Sequence, residues 1–394
     1  MAKDYSEPAQ SPQTGNAAFW YDPQKRSFLY QLGVLLMVGL LVYYLVSNTI
    51  ANLERQAIAT GFGFLEKEAS FEIGESVIPY SAADRYARAL MVGVLNTLLV
   101  SFIGIILTVI LGTFVGIARL STNWLVAKLA AVYIEVFQDI PVLLQLFFWY
   151  ALFYEMLPSP RQAVSPFAGV FLSNRGLVFA VPQFQPTHAY MGISFLAGCI
   201  AIYFLRRWAR ERQAKTGKIF PVFRVSVGIL LLFPFITWLV GGAPTAMSVP
   251  ELKGFNFQGG VNVSPEFAAL LLGLVLYTAA FVAEAVRAGI QSVSKGQREA
   301  AMSIGLKTGH VLQLVILPQA LRVIIPPLTG NLVAMLKDTA VASVVAAPEL
   351  LKRARELYTS KTNPTPLVAA ALIYLAVLIP LVRAVNMLEN RLKK

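Results

Sequence analysis

The sequence has few charged side chains for its length. Of its 394 residues, 14% are charged and 56% are hydrophobic. A soluble globule of this size needs more polar side chains than that to cover its surface. The composition therefore excludes an ordinary soluble protein and indicates a polytopic membrane protein.

Residues that form covalent or metal cross-links are also scarce. Cys199 is the single cysteine, so an intramolecular disulfide is excluded. Neither His188 nor His310 has a Cys or His neighbour at the spacing of metal ligands, so we predict no metal site. No Ser–His–Asp set or other catalytic constellation is evident, so we predict no catalytic residues and no enzymatic activity.

A nucleotide-binding loop of the form G-x-x-x-x-G-K-[ST] is missing as well. The partial match TGKI at 216–219 lacks both the earlier glycine and the following Ser or Thr. We expect this chain to bind no cofactor itself. Any ATP-driven work would need a separate ATPase chain that carries the ATP and its Mg²⁺.

The net charge of +12 is explained by Lys and Arg in cytoplasmic loops, which face anionic lipid headgroups. No basic helix with aromatic stacking residues stands apart from the apolar runs. We therefore expect membrane lipids as partners and no nucleic acid.

Apolar windows of about 20 residues have the length that crosses a bilayer as a helix. Since a membrane-spanning helix satisfies its own backbone groups, they predict an all-α fold with eight transmembrane helices. The windows are 28–50, 89–118, 130–157, 190–205, 222–241, 264–284, 318–346 and 367–386.

The orientation follows from the distribution of Lys and Arg. Most of them fall in segments that are cytoplasmic if the N-terminus is cytoplasmic, above all RRWARERQAKTGK at 206–218. We therefore predict that the tail 1–27 and the C-terminus both lie in the cytoplasm.

The segment 294–305 interrupts the apolar runs with a short helix. Ser294 and Gln297 have capping-box spacing, and Ala300, Ala301 and Ile304 fall on one face. Gly305 suits the left-handed residue that ends a helix. The pattern leaves two interpretations open: a helix held by a partner, or an ordinary interhelical loop with one amphipathic turn.

This segment resembles the EAA loop of permease subunits of ATP-binding-cassette importers. The match is Glu299-Ala300-Ala301, Gly305 and Val315-x-Leu317-Pro318, with Val where Ile is usual. The wider run 283–350 resembles the polar amino acid branch. The resemblance implies that 284–317 holds a cytoplasmic coupling helix that docks on the ATPase. The ATPase-coupling residues would be Glu299, Ala300, Ala301, Gly305, Leu317 and Pro318.

The resemblance covers 89–157 and 264–390, which would form the five-helix core of a type I importer permease. One departure is Gln138, where the family usually has a basic residue. Two parts of the chain lie outside this core: an extra first span, in 28–88, and the insertion 158–263 with its helix pair. With these additions the chain is similar to the larger general L-amino-acid permease subunits, which handle glutamate, glutamine and aspartate. The last unit would be 264–394.

The same resemblance implies the setting. The chain would be a multi-pass protein of a bacterial inner membrane that works with an ATPase dimer, a second, related permease subunit and a periplasmic amino-acid-binding protein. From the residues alone, the alternative is a secondary transporter or channel driven by an ion gradient.

Ionisable groups inside spans are functional candidates because their burial is costly. Glu135 and Asp139 lie one helical turn apart, and Pro326-Pro327 predicts a bent or broken helix in the span that follows the EAA segment. These groups either form a polar path for an amino acid or pair with each other to lock the bundle. The candidate path residues are Glu284, Lys337, Asp338, Thr339, Glu135, Asp139 and Arg322.

Gly112 and Gly116 are four residues apart in the second apolar window. Small residues at this spacing let two membrane helices approach closely. We predict that this pair serves helix packing and does not contact substrate.

Overall fold

The computed structural model describes residues 23–56, 58, 61–341, 350–361 and 364–393. Most of the predicted tail, and residues 342–346 of the seventh window, lie outside these ranges. The described helices are α1 Pro23–Arg55, α2 Tyr86–Ala118, α3 Trp124–Asp139, α4 Val142–Ala151, α5 Pro186–Thr216, α6 Val222–Val240, α7 Pro265–Gln291, α8 Lys295–Ser303, α9 Thr308–Val311, α10 Leu317–Asp338, α11 Leu350–Lys361 and α12 Thr365–Lys393.

Among these described residues, 7 helices are long and apolar enough to cross a membrane, and the α3–α4 pair brings the number to 8 if it crosses as one span. This agrees with the predicted eight. The window 130–157 is wrong as a single straight helix, however, because α3 and α4 meet at an angle of 103°. Pro141 lies at the break and cannot donate a backbone hydrogen bond.

The side chain of Gln145 donates hydrogen bonds to free backbone carbonyls at this break. Its buried side-chain Nε2 donates to the carbonyls of Phe137, at 3.0 Å, and Ile140, at 2.8 Å. These carbonyls lie beyond the reach of the regular helix ladder, and in hydrocarbon an unsatisfied carbonyl is costly. The amide therefore allows a sharp bend within the apolar layer.

Of the bend or break predicted at Pro326-Pro327, the break is wrong, because α10 is continuous through both prolines. Neighbouring helices and side-chain hydroxyls can compensate for the donors that prolines remove from a membrane helix. Separately, the hydroxyl of Thr329 donates to the carbonyl of Pro326 at 2.8 Å, a local side-chain bond within α10.

Helix α7 lies at the centre of the core, with α2, α3, α4 and α10 packed around it. Gly112 and Gly116 of α2 face α7 at close range. A Cβ built on Gly112 would lie 2.6 Å from Cβ of Val282, and one on Gly116 would lie 2.6 Å from the carbonyl oxygen of Ala283. The predicted packing role of this glycine pair is confirmed.

A cap covers the end of the core at which α2 begins. We use this name for the segment 62–85 together with α11. Phe64 of the segment, Tyr86 of α2 and Leu350 of α11 share one buried apolar cluster, which also includes Ala370 of α12. The cap therefore ties the end of α2 to the last third of the chain.

The insertion contains strands that the sequence analysis missed. The order β1-β2-β3-β8 forms an antiparallel sheet, and β4–β5 and β6–β7 form two further pairs. The strands are β1 Val164–Phe167, β2 Val170–Ser173, β3 Gly176–Phe179, β4 Val181–Pro182, β5 Met247–Ser248, β6 Glu251–Lys253, β7 Asn256–Gln258 and β8 Val261–Val263. The predicted helix pair is present as α5 and α6, which pack on each other.

Candidate coupling segment and polar groups of the core

Helix α8 begins and ends as a short isolated unit between α7 and α10. Ser294 has the extended backbone of an N-cap, at φ −61° and ψ 144°, but its side chain accepts no capping hydrogen bond. The predicted capping box is therefore wrong. Instead the Gln297 N–H donates to the backbone carbonyl of Ser294 at 3.1 Å. At the other end Gly305 has φ +84°, so its predicted left-handed conformation is confirmed.

The surface of α8 is almost entirely exposed. Ala301 is its single buried residue, so the predicted shared face of Ala300, Ala301 and Ile304 is buried only at Ala301. Ile304 is 79% exposed and Met302 is 47% exposed. A helix of 9 residues is marginal in water without packing partners. Its apolar side chains are therefore available to a partner.

The other predicted coupling residues lie beside this helix or at the start of α10. Glu299 is exposed, and its carbonyl accepts a hydrogen bond from Ser303 Oγ at 2.9 Å. Leu317 and Pro318 begin α10 and are exposed. A π turn over Leu312–Ile316 joins α9 to α10. The coupling segment is thus connected at both ends to helices of the core.

Glu284 makes a local ion pair that the sequence analysis missed. Its Oε2 accepts from Nε of Arg287 at 2.9 Å, one turn along α7. Arg119, which follows α2, also acts on it electrostatically. Glu284 therefore belongs to a basic environment at the end of α2, away from Asp338.

The end of α10 lies level with the middle of α2 and α7. Met335 is fully buried, and its Sδ lies 3.7 Å from the hydroxyl of Thr108 near the middle of α2. Asp338 is partly buried and acts electrostatically on Tyr277 of α7. Thr339 is fully buried, and its hydroxyl donates to the Leu336 carbonyl at 2.7 Å. A carboxylate thus lies at a helix C-terminus deep in the bundle.

Lys337, the neighbour of Asp338 in the chain, acts on it electrostatically, whereas the remaining candidates lie apart from this group. Glu135 and Asp139 are exposed on α3, and Arg322 and Lys337 are exposed on α10. Within the part of the chain that the structure describes, no ion pair links these four residues. The predicted path residues therefore do not form a single cluster in the structure.

Two polar residues of α3 contact α7 instead. The Tyr133 hydroxyl donates to the carbonyl of Leu276 at 2.7 Å, and Gln138 Nε2 donates to the carbonyl of Ala280 at 3.3 Å. Gln138 is the position at which the family usually has a basic residue. A neutral amide here anchors α3 to the central helix by a hydrogen bond.

Glu75 in the cap was not identified from the sequence. One carboxylate oxygen accepts a hydrogen bond from the backbone N–H of Ser264, which caps α7. The other oxygen is buried and has no hydrogen-bond partner among the described residues. Burial raises the pKa of Glu75 above its usual 4.5, and repulsion from Glu266 adds to this, while the Ser264 hydrogen bond and Arg353 oppose it.

Comparisons with known proteins agree with this architecture. The family described as the binding-protein-dependent transport system inner membrane component matches residues 104–394. The general L-amino acid transport system permease protein AapQ of Rhizobium johnstonii is 45% identical over 332 residues, which are 84% of this chain and 83% of the relative.

Two further relatives cover the chain equally well. The putative amino-acid ABC transporter permease protein YhdX of Escherichia coli is 44% identical over 338 residues, 84% of each chain. The glutamate/glutamine/aspartate/asparagine transport system permease protein BztB of Rhodobacter capsulatus is 34% identical over 361 residues, also 84% of each chain.

These matches confirm the resemblance drawn from the EAA segment, and they extend it through the insertion-bearing part of the chain. The family match covers well over half of the sequence, and the helical architecture is the one that the resemblance implied. The chain belongs to the family of binding-protein-dependent transport system inner membrane components, the permease subunits of ATP-binding-cassette importers.

Proposed function

We propose that this chain is the permease subunit of an ATP-driven importer for polar L-amino acids. The single observation that carries the proposal is the exposed helix α8, suspended between two core helices and presenting Met302 and Ile304 to a partner. The names of the relatives AapQ, YhdX and BztB support amino acids as the substrate class. The chain itself is a transport subunit and not an enzyme.

The coupling step follows from this geometry. An ATPase that binds α8 would displace the segments attached to it, α7 on one side and α9–α10 on the other. Helix α10 meets α2 inside the bundle, where Met335 contacts Thr108. A movement started at α8 would therefore reach the centre of the bundle. ATP and Mg²⁺ would be bound by the ATPase dimer.

Asp338 is the candidate that best suits an amino acid substrate. It lies at the C-terminus of α10, where the helix dipole adds negative potential. Helix ends near mid-membrane commonly bind the charged groups of a substrate. We infer that Asp338 interacts with the substrate ammonium group.

The setting of the complex completes the proposal. The family places the chain as a multi-pass protein of the inner membrane. We propose that both termini and α8 face the cytoplasm, which is supported by the basic residues of 206–218 at the C-terminal end of α5. The cap and the β-strands of the insertion would then face the periplasm and the binding protein. A second, related permease would complete the pore.

The coupling role is tested by Ile304→Asp, which places a charge on the exposed face of α8. Ile219→Asp is a matched control, because Ile219 is 81% exposed and lies in the loop between α5 and α6. We expect Ile304→Asp to abolish copurification with the ATPase and ATP-dependent uptake, while Ile219→Asp preserves both. Uptake by the purified chain alone, driven by an ion gradient, would refute the proposal.

The substrate role of Asp338 is tested separately by Asp338→Asn. We expect uptake to fall by about tenfold or more because a charge-assisted contact deep in the bundle is lost. ATPase copurification should be unchanged. Glu54→Gln, at an exposed position near the end of α1, is the control and should transport like the parent. Parental uptake by Asp338→Asn would exclude the substrate contact.

A further inference from the structure

The helix pair α5–α6 stands apart from the core. Each helix packs along the other, and neither shares an extended packing surface with another described helix. Only 11% of the apolar window of α5 and 6% of that of α6 is buried, against 67% for α7. Most of the surface of this helix pair is therefore available to lipid.

One end of the pair carries a small basic cavity. It has a volume of about 280 Å³ and is lined by Arg206, Arg210 and Gln213 of α5 and by Phe220 and Val222 on the other side. Ala209 is buried at its base. The residues at 206, 209, 210 and 213 share one face of α5 because they are three or four apart. The cavity is thus formed where the two helices approach each other.

The two arginines of this cavity have no internal counter-charge. Among the described residues neither Arg206 nor Arg210 forms an ion pair. The nearby Glu211 is occupied by Arg207, at 3.3 Å, and that pair is strongly exposed. Two guanidinium groups that share a cavity need an anion, and their planar donor arrays match phosphate oxygens.

The cavity lies at the level of lipid headgroups. The apolar part of α5 runs from Pro186 to Leu205, about 30 Å of helix, which matches the hydrocarbon thickness of a bilayer. Arg206 follows immediately. Trp208 and Phe220 contact each other at 5.2 Å between ring centroids, as is typical of aromatic residues at a membrane interface. Lys215, Lys218 and Arg224 add positive charge nearby.

We propose that this cavity binds the phosphodiester headgroup of an anionic phospholipid. Arg206 and Arg210 contact the phosphate, and the acyl chains lie along the exposed apolar surface of α5 and α6. The lipid thereby anchors a helix pair that the core does not hold. This inference rests on the membrane location of the pair and does not depend on the transported substrate.

The experiment is native mass spectrometry of the full-length chain in detergent with added phosphatidylglycerol or phosphatidylcholine. An arginine near anionic lipid contributes about a factor of five to binding, so the double substitution Arg206→Gln with Arg210→Gln should weaken phosphatidylglycerol binding by about twenty-five-fold. The matched control, Lys215→Gln with Lys218→Gln, removes the same charge from the same end of the helix pair, outside the cavity and without disturbing the Arg207–Glu211 pair. It should change binding by less than about three-fold, because these charges act at longer range through water.

Three results would overturn the proposal. These are equal weakening by the two double variants, equal binding of phosphatidylcholine, and displacement of the lipid by excess inorganic phosphate, which would assign the cavity to the free ion. If the glutamine pair does not fold, the lysine pair Arg206→Lys with Arg210→Lys replaces it. Loss of the planar donor arrays should then weaken binding by about five-fold, and unchanged binding would overturn the proposal.

Discussion

The glycines of the core and those of the peripheral helices have opposite surroundings. In α2 and α7, a Cβ on Gly112, Gly116 or Gly289 would collide with a neighbouring helix. In α1, α5 and α6, a Cβ on Gly39, Gly192 or Gly228 would meet nothing within 4 Å. Glycine thus serves very close helix contact in the core, whereas in the helix pair α5–α6 Gly198 meets Ile229 only at an ordinary contact distance of 3.4 Å. The permease core is a tightly packed unit with loosely attached additions.

The strongest test of this comparison is Gly116→Ala in the core. The new methyl group would meet the backbone carbonyl of Ala283, which cannot rotate away, so α2 and α7 must separate. We expect a loss of about 3 kcal/mol in the free energy of unfolding. Thermal unfolding in detergent measures it. Gly39→Ala is the control, and equal losses in the two variants would remove the distinction between the regions.

Gln145→Leu tests how the core tolerates its sharp bend. It removes donors from the carbonyls of Phe137 and Ile140 inside the apolar layer, so we expect a loss of about 1–3 kcal/mol. Gln138→Leu removes one longer hydrogen bond, at 3.3 Å, and should cost less. Unfolding measurements on both variants would contradict this account if Gln138→Leu were the more destabilising.

Glu75→Gln extends the comparison to the cap. The pKa of Glu75 is raised in the folded cap, so folding favours the protonated carboxyl. This group therefore stabilises the cap fully at a pH below its ordinary pKa of 4.5. That contribution is lost as the pH rises through the folded-state pKa. At neutral pH the backbone amides of 62–85 should therefore exchange more slowly in the Glu75→Gln variant than in the parent. The stability of the cap should also no longer depend on pH above 4.5 through this group.

Hydrogen exchange of the 62–85 backbone between acidic and neutral pH measures this effect. Glu72→Gln, an exposed neighbour in the same segment, is the control and should leave the pH dependence in place. The attribution to Glu75 would be wrong if both variants showed the same pH profile. Tyr80, whose pKa burial raises to about 12, stays neutral over this range and does not contribute.

The smallest effect is expected at Gly228→Ala in α6. No atom lies within 4 Å of the new Cβ, so packing should not change. Alanine has a better helix propensity than glycine, so stability should stay equal or rise by less than about 1 kcal/mol. Thermal unfolding of the same preparation measures it. A large loss would mean that α6 packs on a partner at this position.

The sequence predicted those features that depend on local pattern. Apolar length identified the spans, the spacing of Gly112 and Gly116 identified a helix contact, and Gly305 identified the end of α8. Features that depend on tertiary partners were missed. Pro326 and Pro327 looked like a break but lie in a continuous helix, whereas the real break at Pro141 depends on Gln145, whose role appears only in the folded chain.

The candidate site shows the same division. The EAA motif predicted the position of α8, but its exposure is a property of the fold. The strands of the insertion are 2 to 4 residues long, too short for an alternating pattern to distinguish them from loops. The ionisable candidates were found individually, and their separation in space depends on how α3, α7 and α10 pack.

The two adjacent prolines of α10 have a mechanical consequence. A helix that has lost two successive donors bends more easily at that level than elsewhere. In α10 this level lies between the Leu317 end, which follows α8 and α9, and the Asp338 end, inside the bundle. The two halves of α10, on either side of the prolines, can therefore rotate by different angles when one of them is displaced.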